Sequence, residues 1–165
     1  FTMKWERISC TPEQEVYQLF KGETRILTLT LHPFSHSARI ETESEKRVFQ
    51  IRKEGFLRNK TVLRTEYGIK IGELGYENGK NFISINNEHY NYSITNNPLA
   101  ELLIFQENNQ QPLVTCELNT EKGNTQVLFK KDHTLGNSSH PGLLMALCWY
   151  MFLPVAKENT PEMAM

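Results

Sequence analysis

Leu143-Leu144-Met145-Ala146-Leu147-Cys148-Trp149-Tyr150-Met151-Phe152-Leu153 is an unbroken apolar run near the end of an otherwise polar, strand-patterned chain. A helix that is apolar on every face must be buried on every face. Ser138 and Ser139 offer N-caps, and Pro141 suits a first helical turn. The residue before a proline is pushed out of the helical region, so Pro154 is expected to close the helix. The boundaries predicted are about residues 140–154. A helix from Gly142 to Ala156 would be roughly 22 Å long, short of the ~30 Å of a bilayer core. The rest of the chain is therefore expected to surround it.

Upstream of this run the chain reads as short alternating segments separated by turn residues. Leu27, Leu29 and Leu31 face one way between Thr24 and His32, with Ile26, Thr28 and Thr30 on the other side. Phe49 and Ile51 share a face, Ile69 and Ile71 are expected to share another, and Tyr90, Tyr92 and Ile94 alternate. Glu77-Asn78-Gly79 and Asn86-Asn87 are tight-turn signals. About twelve strands are predicted between residues 3 and 130, the last over Gln126–Lys130, with no linker between them. That many strands in one sheet need closure or edge protection. A barrel of this size has a lumen wide enough for a helix of ~10–12 Å diameter. The fold expected is mainly β: one domain over residues 1–165, a single closed antiparallel barrel around a central hydrophobic C-terminal helix. Leu143, Leu144, Leu147, Trp149 and Phe152 would fill its core.

That plan resembles the tubby C-terminal domain, a superfamily shared with LURP-one-related proteins and phospholipid scramblases. Val48-Phe49-Gln50-Ile51 through Thr65-Glu66-Tyr67-Gly68-Ile69-Lys70-Ile71-Gly72 looks like the strand–turn–strand units of LURP-one-like members, and Leu143 to Leu153 like their core helix. The likeness spans nearly the whole chain as a pattern and matches no signature motif residue by residue. It implies a barrel whose relatives bind phosphoinositides or sit at membranes. No acidic calcium-binding segment of the scramblase kind is visible.

Composition narrows the function classes. The chain has 165 residues, 39% hydrophobic and 22% charged, with a formal net charge of −1, so no global pull toward nucleic acid or membrane exists. Cys10, Cys116 and Cys148 are far apart and each lies in an apolar pattern, so buried thiols in a reducing compartment are expected, not a disulfide framework or a zinc site. The first ten residues include Lys4, Glu6 and Arg7 and no apolar stretch of the signal-peptide kind, which points to a cytoplasmic protein. The five histidines show no metal-ligand spacing, and His32 and His36, flanking Pro33, read as solvated turn residues. Ser35-His36-Ser37 has no nucleophile elbow around it. Gly68, Gly72, Gly75 and Gly79 follow no phosphate-binding pattern. No catalytic constellation, cofactor or metal site is expected.

Charge is unevenly spread. Between Lys46 and Lys70 stand eight basic residues against two acidic ones, a surplus of six, which leaves the remainder at −7. Arg47, Arg52, Lys53, Arg58, Lys60, Arg64 and Lys70 are the candidate anion-binding residues, suited to phosphates or anionic lipid head groups. The competing reading pairs them with glutamates on neighbouring strands. The function expected is a non-catalytic binding or scaffold domain recognising anionic membrane lipids, peripheral at a membrane surface. The alternatives are a carrier of small apolar ligands, with the C-terminal segment packed outside the barrel, and a membrane-associated protein held by a short C-terminal anchor.

Overall fold

The computed structural model describes residues 2–55, 60–95, 101–106, 112–121, 124–128 and 141–159. Among these, twelve strands precede one long helix. They are β1 (Thr2–Cys10), β2 (Glu15–Lys21), β3 (Thr24–His32), β4 (Ser37–Thr42), β5 (Val48–Glu54) and β6 (Lys60–Thr65). There follow β7 (Lys70–Glu77), β8 (Lys80–Ile85), β9 (Glu88–Thr95), β10 (Glu101–Gln106), β11 (Pro112–Glu121) and β12 (Asn124–Leu128). A 3-10 turn, Pro33–Ser35, joins β3 to β4, and α1 runs from Pro141 to Asn159.

The chain is mainly β, and every strand pairs antiparallel with its neighbour in sequence. β1 also pairs with β12, from Thr2↔Leu128 to Glu6↔Asn124. Turn chemistry sets the tight connections. Asn78 and Gly79 join β7 to β8 with φ of 53° and 77°, the positive pair that a two-residue hairpin turn needs. Gly72 is required by close approach: a Cβ there would lie 2.5 Å from the Ser84 carbonyl oxygen on β8.

Alternation decides which faces turn inward. Leu27, Leu29 and Leu31 on β3, Phe49 and Ile51 on β5, and Ile83 and Ile85 on β8 are all buried. On the helix every residue from Leu143 to Trp149 is buried, as are Phe152 and Leu153, and they form one hydrophobic core with the strands. Leu143, Leu144, Leu147, Trp149 and Phe152 thus sit where the apolar run places them. No helix among the described residues is long and apolar enough to cross a membrane, which leaves β-barrel spans untouched.

Four local expectations are corrected. The helix does not stop at Pro154 but contains it and continues to Asn159. Pro154 is exposed, so the backbone carbonyl it leaves without a helical donor is at the core's edge, where water can substitute. Cys10 is exposed, because β1 runs past the core there, whereas Cys148 is buried; the Cys116 side chain lies outside the described residues. Ile69 is 61% exposed, since β7 begins only at Lys70, whereas Ile71 is partly buried against the core. The last strand starts at Asn124, two residues before the expected start, and Phe129 and Lys130 lie outside the described residues.

A candidate binding site at one end of the sheet

The inward phase of several strands continues past the apolar core. On β5 it runs Phe49, Ile51, Lys53, and Lys53 pairs in register with Thr61 on β6. On β2 it begins at Glu15, opposite Leu31 of β3. On β9 it runs Tyr90, Tyr92, Ile94. The strand registers bring the end of β3, the start of β4 and the end of β5 together, through His32↔Ser37 and Ser37↔Arg52.

These strand ends surround a cavity of about 470 Å³. Its polar wall is Glu15, His32, His36, Ser37, Lys53 and Thr61. Its apolar wall is Leu31, Pro33, Tyr92 and Ile94, and the last core turns of α1 contribute Tyr150, Met151, Leu153 and Pro154. The volume falls within the ~300–1,000 Å³ of small-molecule sites, which likewise combine apolar walls with a few polar groups. Burial pushes the Tyr92 hydroxyl above the ordinary tyrosine range, with the Cys148 thiol adding to it, and burial alone does the same to Tyr150. Both phenols are therefore protonated donors at neutral pH. Neither has a hydrogen-bond partner among the described residues.

His32 and His36 are thus brought to a cavity wall, not merely to a solvated turn. His36 sits in the left-handed region at φ 50° and donates its backbone N–H to the Pro33 carbonyl at 3.3 Å. The adjoining hydroxyls serve the turn: Ser35 Oγ and Ser37 Oγ lie 2.7 Å apart, and Ser35 also donates to the His32 carbonyl. Among the described residues no group of three His, Cys, Asp or Glu side chains is placed to hold a metal ion.

The basic stretch divides into neutralised and unneutralised members. Arg64 donates to both oxygens of Glu54, at 2.8 and 2.9 Å, and to the Gly68 carbonyl. This hydrogen bonding holds the Glu54 carboxyl below the usual carboxylate range, helped by the charges of Arg64, Arg52 and Lys70. Lys70 bonds Glu73 at 3.0 Å, Arg47 lies 3.7 Å from Glu66 and over the Phe49 ring, and Lys46 lies 3.9 Å from Glu43. Arg52, Lys53 and Lys60 are exposed and make no ion pair among the described residues. Arg58 lies outside the described residues.

The six described candidates do not form one patch. Arg47 and Lys70 stand at the opposite end of the sheet from Lys53 and Lys60. Lys53 points with the inward phase toward the cavity, while Arg52 takes the outward phase. A register shift beside Arg64 absorbs Ile71 and sets Lys70 against Arg64, so Lys70 takes the outward face, where it meets Glu73.

Three of the five large apolar side chains exposed among the described residues lie at the end of the lone cations, and Tyr67 and Ile69 lie at the other. Ile8, Phe34 and Tyr76 are 51%, 74% and 71% exposed, and all lie toward the cavity end. No protein-family model, curated protein or solved structure matches this chain.

Proposed function

We propose that this chain is a binding domain that docks end-on to membranes carrying anionic lipid head groups. In this reading the sheet works as a closed, tubby-like barrel sealed by the β1–β12 ladder and plugged by α1. The observation that carries the reading is the company Arg52 and Lys60 keep. Glutamates neutralise Arg47, Arg64 and Lys70, leaving Arg52 and Lys60 as outward cations at the end where Phe34 and Tyr76 are exposed. Cations beside exposed aromatic rings suit an interface whose head groups are anionic and whose next layer is apolar. Exposed Glu13 and Glu77 are at this end too, and Glu77 faces Lys80 in register, so the attraction is local to the β5–β6 corner.

Sedimentation with vesicles tests it. The protein should pellet with vesicles containing phosphatidylserine or phosphoinositide and not with neutral ones. Binding should fall as salt rises from 0.1 to 1 M, where the screening length shrinks from ~10 to ~3 Å. At about 1 kcal/mol per surface cation, Arg52→Glu with Lys60→Glu should weaken partitioning at least tenfold. Equal pelleting with neutral and anionic vesicles, or none with either, would retire the proposal.

A further inference from the structure

We infer that the cavity at the end of the sheet binds an anionic single-chain amphiphile, with its head group on Lys53 and its chain along Ile94 and Leu153. The inference stands on the cavity alone and is independent of membrane docking. Lys53 occupies the position where the β5 inward phase would otherwise place a third apolar residue after Phe49 and Ile51. No carboxylate among the described residues forms an ion pair with it. A lysine held on the rim of an apolar cavity is a point charge available to an incoming anion.

The rest of the wall sorts by chemistry in the way such a ligand needs. His32, His36 and Lys53 stand on one wall, from the β3–β4 connection to β5, whereas Ile94 belongs to β9 and Leu153 to α1. The two phenols, Tyr92 and Tyr150, add hydroxyl donors without partners among the described residues. One carboxylate, Glu15, lines the cavity. It is only 6% exposed and accepts from Cys10 Sγ at 3.5 Å, so its charge is more withdrawn than that of Lys53. A head with an acceptor, followed by an alkyl chain, satisfies both walls at once. A wholly apolar ligand would strand Lys53 and the phenols, and burying such groups unpaired is costly.

Calorimetric titration of the full chain with decanoate and with uncharged 1-decanol, both below their aggregation limits and without vesicles, tests the assignment. Decanoate should bind once per chain and at least tenfold more tightly than decanol. Shortening it to octanoate should weaken binding about fourfold per methylene. Lys53→Gln should reduce decanoate to the affinity of decanol. Ile94→Trp, which fills the apolar side, should weaken both ligands. Lys46→Gln, a lysine far from the cavity, should change neither. Absence of saturable binding, equal affinity for decanoate and decanol, or equal losses in Lys53→Gln and Lys46→Gln would overturn it. Because no vesicle is present, these outcomes are separate from success or failure of membrane docking.

Discussion

The indole of Trp149 stacks on that of Trp5, with ring centroids 5.3 Å apart and planes 14° from parallel. Trp149 belongs to α1 and Trp5 to β1, the strand paired with both β2 and β12 through Trp5↔Leu19 and Trp5↔Thr125. Tyr17 meets Trp149 edge-on at 5.7 Å, and Phe152 lies 6.1 Å away. This aromatic group joins the helix to the seam between the first and last strands. Trp149→Ala should therefore destabilise the protein by about 3–5 kcal/mol, read by denaturant unfolding. The Trp149 indole N–H has no hydrogen-bond partner among the described residues. Trp149→Phe, which removes that buried donor while keeping a ring, should cost less than half as much. Equal losses for the two variants would show that ring stacking does not hold the helix.

The Glu54–Arg64 pair gives stability a pH dependence with a definite sign. Glu54 has its carboxyl lowered on folding, chiefly by the Arg64 hydrogen bonds. A lowered carboxyl contributes stability that is fully present above the unfolded value of about 4.3 and is lost as pH falls through the folded value. Glu54→Gln should melt below the wild type at about pH 6, and the two melting curves should converge as pH falls through the lowered folded value. A gap that stays constant over that range would remove the pair from the stability of the β5–β6 hairpin.

Pro154 lies inside α1 and cannot donate to the carbonyl of Tyr150, one helical turn earlier. Pro154→Ala restores that donor at an exposed position. It should raise the melting temperature, with an upper bound of about 3 kcal/mol from helix propensity. A fall in stability would mean that proline is needed where the helix leaves the core.

The strands were legible because burial on one face leaves a period of two in the side chains, clear in Leu27-Leu29-Leu31 and in Tyr90-Tyr92-Ile94. The helix was legible for the opposite reason, since Leu143 to Leu153 has no polar face to present to water. Phase was harder to read than period. Ile69 and Ile71 look like an inward pair, but only Ile71 packs against the core, because β7 begins at Lys70 and shifts register beside it. Pro154 and Cys10 were misread because each lies just beyond the core, a boundary that depends on how far neighbouring strands extend. The cavity was not legible as a whole, because it assembles from β2, β3, β4, β5, β6, β9 and α1. Its local signal was present nonetheless: Glu15 and Lys53 are charged residues standing in the inward phase of otherwise apolar strands.

The position of α1 after all twelve strands constrains how the protein can be made. A ribosome releases β1 long before β12, its partner across the seam, and releases the helix after every described strand. Until then the inward leucines and isoleucines have no complete interior to join, and exposed apolar surface of this kind favours aggregation. Pairings between distant segments also form slowly, because loop closure must precede their contacts. Completion of the core is therefore a late step, which cannot precede the arrival of this apolar segment.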